Sequence, residues 1–280
     1  MIKAKKSLGQ NFLVDDSVSR EIVETVAPSP SDIIIEIGPG KGAITKRLLA
    51  RCGYLTAIEI DALLIKKLGQ EITNPKFNLI AADALKLNWQ TEIQDSLVRW
   101  RKVNPHINQE PRVRVVANLP YYISTPIVER LMKLDNQISD MTLMLQEEVV
   151  NRIVSVPNTR DYGYLSVLVQ YYRNARKLFR VPPTAFQPVP RVWSAILQLT
   201  NRSEPRVMVS DETRFFALVR SAFAQRRKTL MNNLKAASET LQFKEEIYSA
   251  IAKSRIDANR RAETLSLEEF AELYHALFSE

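Results

Sequence analysis

Side chains that could bind a nucleoside occur at intervals through the first third of this 280-residue chain. Three of its seven glycines, Gly38, Gly40 and Gly42, fall within five residues, and bare main chain of this kind lets a ligand lie against the backbone. Farther on, Glu59 could accept hydrogen bonds from both hydroxyls of a ribose. Asp83 could accept one from the amino group of an adenine. Together these residues predict a nucleoside-binding site.

The glycine spacing favours one class of nucleoside. The dinucleotide fingerprint Gly-x-Gly-x-x-Gly is not met, because Ala43 occupies its third glycine position. With Glu36 two residues before Gly38, the spacing instead fits S-adenosylmethionine-dependent methyltransferases, whose cofactor carries a sulfonium group and no pyrophosphate. We therefore expect S-adenosylmethionine as methyl donor, bound by Gly38, Gly40, Glu59 and Asp83.

A second motif, Asn118-Leu-Pro-Tyr, could prepare an aromatic amine for methylation. Such an amine is a poor nucleophile because its lone pair is delocalised into the ring, and acceptors that bind its hydrogens restore sp3 character. The Asn118 side-chain oxygen and the Leu119 carbonyl could supply them, with Pro120 fixing the turn. Tyr121 could stack on a flipped base. No general base is required.

Short apolar strands that alternate with helices place these motifs. The strands are predicted at 33–37, 54–59, 77–81, 113–117 and 141–145. This alternation predicts an α/β fold with a doubly wound, Rossmann-like parallel sheet, in which ligands bind beyond the carboxyl ends of the strands. Because the glycine cluster, Glu59, Asp83 and Asn118 all occur at predicted strand ends, we expect them to meet at one edge.

The C-terminal quarter has helical apolar spacing, at 212–223, 225–237, 244–252 and 267–278, beyond a linker candidate at 201–205. We therefore predict two domains. Residues 1–202 form the methyltransferase domain, and residues 203–280 form a small all-α domain that binds RNA.

Excess positive charge favours a polyanionic partner. Lysine and arginine outnumber aspartate and glutamate by 39 to 31, a net charge of +8. Six cations and no acid lie between Glu212 and Glu239. A run of three of them opens a predicted helix, where they oppose the macrodipole unless phosphates offset them. The candidate RNA-binding residues are Arg220, Arg226, Arg227 and Lys228.

Other residue types exclude several classes of protein. With Cys52 as the single cysteine and His106 and His275 as the only histidines, a Cys/His zinc site is not expected, and we predict no metal. A histidine-dependent hydrolase is set aside for the same reason. No apolar run reaches about 18 residues and no secretory signal is present. We expect a cytoplasmic protein and, by default, a monomer.

Six motifs spread over nearly the whole chain carry a family resemblance. They are Lys6-Ser-Leu-Gly-Gln-Asn-Phe-Leu13, Glu36-Ile-Gly-Pro-Gly-Lys-Gly, Asn118-Leu-Pro-Tyr, Leu145-Gln-Glu-Glu-Val, Tyr162-Gly-Tyr-Leu-Ser-Val and Val181-Pro-Pro-Thr-Ala-Phe-Gln-Pro-Val-Pro-Arg-Val-Trp-Ser194. Together they resemble the ribosomal RNA adenine N6,N6-dimethyltransferases, most closely the bacterial small-subunit branch.

The resemblance implies dimethylation of two adjacent adenosines in the 3′-terminal hairpin of small-subunit rRNA, in an immature ribosomal subunit. It implies that Asn11 and Leu13 contact the cofactor, together with Asn118 and the residues of the predicted nucleoside site. It also implies that Phe186 faces Tyr121 across the target adenine. None of these roles for Asn11, Leu13 and Phe186 follows from spacing alone.

Three features depart from the family pattern. Glu147 stands where lysine is common, Trp193 stands where an acidic or small polar residue is usual, and the irregular stretch 89–111 is longer than in most members. We expect the two side chains to adjust the surface and leave the chemistry unchanged. The stretch is either an inert loop or an added contact to RNA or ribosomal protein.

Two other functions stay open from the sequence. One is methylation of adenine in large-subunit rRNA, although that branch usually has isoleucine at the position of Leu119. The other is a non-catalytic role of the same fold in ribosome assembly or transcription, which the intact Asn118-Leu-Pro-Tyr motif argues against.

Overall fold

A computed structural model describes residues 2–134, 137–202, 204, 206–241 and 247–278. The chain divides into two compact units. Unit 1 comprises Met1–Val150 and Ala175–Asn201, and unit 2 comprises Asn151–Asn174 and Arg202–Glu280. No helix of the described residues is both long and apolar enough to cross a bilayer.

The strands are β1 (Phe12–Leu13), β2 (Asp32–Ile37), β3 (Tyr54–Glu59), β4 (Phe77–Ala81), β5 (Arg112–Asn118), β6 (Asp140–Gln146), β7 (Arg173–Val181), β8 (Phe186–Gln187) and β9 (Ser194–Asn201). The helices are α1 (Asp16–Val26), α2 (Thr45–Leu49), α3 (Ala62–Glu71), α4 (Trp89–Val103), α5 (Ser124–Met132), α6 (Glu147–Val154), α7 (Tyr164–Tyr172), α8 (Glu212–Ala222), α9 (Leu230–Leu241), α10 (Ile247–Ser254) and α11 (Leu267–Phe278).

Among the described residues, seven strands form one sheet in the order β4-β3-β2-β5-β6-β9-β7. The pairs among β2 to β6 are parallel, which confirms the predicted Rossmann-like arrangement, whereas β9 runs antiparallel to β6. Strands β7 and β9 were not predicted. The strand order reverses between β2 and β5, so the crevice beyond their carboxyl ends is where such sheets bind ligands.

The core of the sheet forms because its central strands carry apolar side chains on both faces. All six residues of β2 are buried, including Ile33, Ile34 and Ile35. Helix α1 begins at Asp16 because the Asp15 carboxylate accepts hydrogen bonds from two main-chain N–H groups of its first turn. The buried strands and the packed helix hold the carboxyl ends of the strands in fixed positions.

The prediction that residues 89–111 are irregular was wrong for their first two thirds, which form α4. Asn88 caps this helix, accepting from Thr91 N at 3.3 Å. Its buried residues include Trp89, and Ile93 and Trp100, which follow Trp89 by four and eleven positions and so lie on the same face. The Trp100 Nε1 atom donates a hydrogen bond to Pro30 O at 3.1 Å. The exposed face is polar and basic, and this hid the helical period.

Unit 2 is built around a core that α8 to α11 share with part of the preceding segment. Tyr162 and Val167 are buried in the same cluster as Phe215, Leu234 and Phe270, which is why 151–174 group with the C-terminal residues. The predicted domain division at 202/203 stays a prediction, and these units differ from it in that segment. Residues 203 and 205 of the predicted linker lie outside the described residues.

The helices of unit 2 agree with the predicted ones at 212–223 and 267–278. Helix α9 begins at Leu230 instead of Gln225, because Gln225–Thr229 form a turn. The predicted start of the next helix, at Lys244, lies outside the described residues.

Candidate functional site

One cavity of unit 1 opens at the carboxyl ends of β2 to β5. The space between its walls is about 1210 Å³ when the open solvent at its mouth is included. Its walls include every predicted catalytic and cofactor-binding residue: Asn11, Leu13, Gly38, Gly40, Glu59, Asp83, Asn118, Leu119, Pro120, Tyr121 and Phe186.

The glycine loop after β2 forms the floor of one end of the cavity, which we call the cofactor end because the sequence predicts the cofactor there. Gly38 N donates to Ile58 O at 2.9 Å, which ties the loop to β3. Gly40 has a φ of +59°, and a Cβ added there would lie 3.3 Å from Cδ1 of the Phe12 ring. Both the left-handed backbone and the close ring therefore require glycine, which leaves main chain open to a ligand.

Glu59 ends β3 and is 6% exposed. Its Oε1 accepts hydrogen bonds from Ile60 N and Asp61 N, both at 2.9 Å, and its Oε2 accepts one from Gly40 N at 3.2 Å. Burial raises the pKa of this carboxyl, and the three N–H groups oppose the rise. A carboxylate has about four acceptor sites, so one remains on Oε2 for a ribose hydroxyl. A second hydroxyl would have to replace the Gly40 N–H.

Asp83 follows β4 and presents one free oxygen. Its Oδ1 accepts from Leu85 N at 2.9 Å, and within the described ranges no donor reaches Oδ2. That oxygen can accept a hydrogen bond from an adenine amino group.

A further wall of the cavity is formed by residues 8–13 of the segment 5–13, which we call the N-terminal strap. Lys5 Nζ contacts Asp61 Oδ1 at 2.7 Å, and Gln10 Nε2 donates to Asp61 Oδ2 at 2.9 Å. Gln10 in turn accepts from Lys5 N at 2.8 Å. Burial alone would raise the pKa of Asp61, but the bonds from Lys5 and Gln10 hold it below its usual value. The contacts of Lys5 and Gln10 with Asp61, which we call the clasp, were not predicted. Asp61 has the sequence pattern of a helix N-cap, a role that it also fills for α3.

The strap joins the cofactor end of the cavity to its other end. Strand β1 pairs with β8, Phe12 opposite Gln187 and Leu13 opposite Phe186. Val14 N donates to Ala185 O at 2.9 Å, which extends the pairing. Leu13 and Phe186 therefore have a common support.

The other end of the cavity has two aromatic rings and a polar side chain. Tyr121 is half-buried, burial raises its pKa, and its hydroxyl lies 3.0 Å from Ser194 Oγ. Phe186 is 3% exposed. No described residue hydrogen-bonds to the Asn118 side chain, whose oxygen and amide are available to a ligand.

This donor set fits S-adenosylmethionine. It offers bare main chain at the glycine loop and carboxylate acceptors at Glu59 and Asp83, and it lacks the helix-borne phosphate cradle of a dinucleotide site. Within the described parts of the chain, no three His, Cys, Asp or Glu residues group closely enough to hold a metal ion.

The predicted RNA-binding cations of unit 2 differ from one another. Arg226 pairs with Glu263 at 2.9 Å and donates to Arg160 O, and the Arg220 guanidinium stacks on Tyr164 at 4.3 Å. The side chains of Arg227 and Lys228 are exposed and have no ion pair or hydrogen bond to the described residues. All three residues at 226–228 precede α9, so the prediction that they begin this helix was wrong.

Comparisons with known proteins agree over the full length. A model of the family described as ribosomal RNA adenine dimethylase matches residues 1–278. The chain is similar to Ribosomal RNA small subunit methyltransferase A of Clostridium perfringens, with 45% identity over 273 residues, which are 97% of this chain and 90% of that protein.

Two solved structures share the fold. One is a dimethyladenosine transferase from Plasmodium falciparum, with a TM-score of 0.71 and 21% identity, covering 94% of this chain and 95% of that one. The other is the 23S rRNA methyltransferase ErmE, with a TM-score of 0.65 and 24% identity, covering 95% and 99% respectively.

Proposed function

The chain belongs to the ribosomal RNA adenine dimethylase family and is a small-subunit rRNA methyltransferase, and we propose that it dimethylates N6 of two adjacent adenosines in the 3′-terminal hairpin of that RNA. The observation that carries the proposal is the single cavity that brings together a nucleoside end and a base end. Both substrates of a methyl transfer need such a shared space.

S-adenosylmethionine, when bound, supplies an electrophilic methyl group on its sulfonium. Glu59 would accept a ribose hydroxyl through Oε2, and Asp83 would accept from the adenine amino group through Oδ2. The strap residues Asn11 and Leu13 would close the cofactor end, with Gly38 and Gly40 as its floor. These contacts orient the donor and exclude water from it.

At the base end, Tyr121 and Phe186 would hold the target adenine by stacking, after it is flipped out of its RNA strand. The Asn118 oxygen and the Leu119 carbonyl would accept hydrogen bonds from the N–H groups of the amine, two before the first transfer and one before the second, with Pro120 shaping the turn. The nitrogen lone pair then points away from the ring plane, ready for in-line attack. Ser194 Oγ fixes the Tyr121 ring through its hydroxyl.

The enzyme would act as a monomer in the cytoplasm on an immature small subunit. The net charge of +8 and the exposed Arg227 and Lys228 favour RNA phosphates as the contact. A pocket for one flipped base favours recognition by RNA shape. No metal is required by the proposed chemistry.

Labelled S-adenosylmethionine tests the proposal. The protein is incubated with immature small subunits in one reaction and with free large-subunit rRNA in another. We expect label in two adjacent small-subunit adenosines. Label confined to large-subunit rRNA would overturn the proposed substrate, and no label in either would favour a binding protein without activity.

A further inference from the structure

We propose that Trp193 and Arg180 form a stacking platform for the base next to the target adenosine. The inference rests on the proposed function and adds a second nucleotide subsite to it. Trp193 is 41% exposed, whereas the other two tryptophans, Trp89 and Trp100, are 3% and 2% exposed. A large ring left open at the surface of a protein with an RNA substrate requires an explanation.

The ring is held in place on one face. The Arg180 guanidinium lies 4.3 Å from the centroid of the Trp193 ring, in cation–π geometry. Arg180 is itself fixed by Glu147, with Nε 2.8 Å from Oε1 and Nη2 2.8 Å from Oε2. A bidentate pair of this kind sets the orientation of the guanidinium plane.

Glu147 also fixes the main chain of the platform. Its N–H donates to Trp193 O at 3.0 Å, and Lys177 Nζ donates to its Oε1 at 2.6 Å. The bonds from Lys177 and Arg180 hold the pKa of Glu147 below its usual value, so it is ionised at neutral pH. Glu147 and Trp193 therefore belong to one assembly, and the proposal gives them a role beyond the adjustment of the surface that the sequence predicts.

The main chain of the platform continues directly into a residue that contacts Tyr121 of the cavity. Ser194, the next residue after Trp193, is the one whose Oγ lies 3.0 Å from the Tyr121 hydroxyl. Tyr121 lines the base end of the cavity. Because Trp193 precedes Ser194, the inference places the neighbour of a base stacked between Tyr121 and Phe186 at the Trp193 ring.

Charge complementarity favours RNA as the occupant. Arg176, Lys177, Arg180 and Arg191 are near Trp193 in sequence or on the neighbouring strand β7, and Glu147 pairs with Lys177 and Arg180. The surplus of cations suits the phosphates that flank a stacked base. The exposed ring and the cation layer beneath it suit the base itself, because stacking on aromatic rings tolerates any base.

Trp193 fluorescence provides a direct measurement. Because the other two tryptophans are buried, a base stacked on Trp193 should quench the exposed component of the emission. The probe is a short RNA hairpin with two adjacent adenosines. We expect Trp193→Phe to abolish the quench while keeping RNA affinity within about twofold of the wild type, because a ring remains to stack on.

Affinity and transfer are then compared in Trp193→Ala. Loss of one stacked base should weaken RNA binding, and raise KM for RNA, by about 10-fold. The KM for S-adenosylmethionine should not change. Val192→Ala, which truncates an exposed apolar neighbour of the same loop, serves as the matched control and should behave as the wild type.

Hairpins with an abasic site on either side of the target adenosine identify the occupant. One of the two abasic hairpins should bind the wild type about 10-fold more weakly than the intact hairpin does. Trp193→Ala should bind that abasic hairpin no more weakly than the wild type does, because the base that would stack on Trp193 is already absent. The platform would be overturned if the wild type and Trp193→Ala bound the intact hairpin equally well. It would also be overturned if, for both abasic hairpins, the loss of affinity from the abasic site simply added to the loss from Trp193→Ala. If the wild type transfers label to small-subunit RNA in those cases, the proposed function stands and only the platform falls.

Discussion

Leu13 and Phe186 are directly opposed in an antiparallel pair of two-residue strands. Leu13 belongs to the strap that walls the cofactor end of the cavity, and Phe186 belongs to its base end. Both are buried in the same apolar cluster. We therefore expect a ligand that orders one of the two strands to order the other, which would couple the binding of the two substrates.

The first prediction is that S-adenosylhomocysteine, the demethylated cofactor, tightens RNA binding by about fivefold, a coupling of about 1 kcal/mol. RNA should tighten binding of this ligand by the same factor, because coupling between two binding sites is reciprocal. Titration calorimetry in both orders measures it.

Leu13→Ala should reduce that coupling. It removes the side chain that packs at the strand pair. The factor by which saturating S-adenosylhomocysteine tightens RNA binding should therefore fall towards one. Val18→Ala, a truncation in the same cluster outside β1, is the control and should keep the coupling. Equal RNA affinity with and without saturating ligand in the wild type would contradict the coupling.

The second prediction concerns the clasp of the strap. Asp61→Asn removes the charge that Lys5 pairs with, and we expect cofactor affinity to fall by about 10-fold, as for loss of one charge-assisted hydrogen bond. RNA affinity measured without cofactor should stay unchanged. Glu71→Gln, which removes a carboxylate at the end of α3 that pairs with Lys46 of α2 and Lys67 of α3, should leave both affinities unchanged.

Much of the sheet edge could be predicted because its signals are local. The β-branched run before Gly38 and the carboxylates at the ends of two strands are readable from a few adjacent residues, and parallel strands bring their carboxyl ends together. That these residues line one cavity followed from topology. The contact of Lys5 with Asp61 spans 56 residues and has no periodic signal, so sequence could not show it.

Strand β7 and helix α4 were missed for a common reason, whereas β9 has the buried apolar run 195–197 and could have been predicted. In β7 most residues are half-buried or exposed without regular alternation along the strand, and in α4 polar residues outnumber the buried apolar ones. Apolar periodicity detects an element only where one face is strongly apolar. The pairing of Glu147 with Trp193 depends on the antiparallel β6–β9 register, which no local pattern encodes.

The third prediction follows from Glu36 on β2, which is 0% exposed. No hydrogen bond of normal geometry reaches its carboxylate oxygens from the described residues. Burial raises its pKa to about 8, more than the nearby Thr45 hydroxyl lowers it. Between pH 4.5 and 8 the folded chain therefore holds a proton that the unfolded chain has lost. The free energy of unfolding contributed by this group is thus highest below pH 4.5 and falls as pH rises to 8.

Glu36→Gln should abolish that slope. Relative to the wild type, the variant should gain stability from pH 5 to pH 8, by a few kcal/mol at most. Urea unfolding without cofactor at the two pH values measures the difference. Glu24→Gln is the control, because the hydrogen bond from Arg51 lowers the pKa of Glu24 and leaves it ionised throughout. If the free energy of unfolding differed between Glu36→Gln and the wild type by the same amount at both pH values, the raised pKa of Glu36 would be refuted.

The fourth prediction separates the cations of 226–228. Arg226 forms an ion pair with Glu263 and donates a hydrogen bond to Arg160 O. Arg226→Ala should therefore lower the stability of the protein more than it lowers RNA affinity. Arg227→Ala and Lys228→Ala should leave stability unchanged. If each contacts a phosphate, each should reduce the slope of log affinity against log salt by about 1. Slopes equal to that of the wild type in both variants would remove them from the RNA interface.

The fifth prediction tests the role of Asn118. Asn118→Ala removes an acceptor that is needed only when the amino group reacts, so transfer should fall by at least about 100-fold. RNA binding should stay within about twofold, because the stacking rings Tyr121 and Phe186 remain. Asn118→Asp keeps an acceptor oxygen at the same position and should retain more transfer than the alanine variant. Loss of RNA binding in parallel with transfer would mean that this side chain holds the substrate and does not prepare its nitrogen.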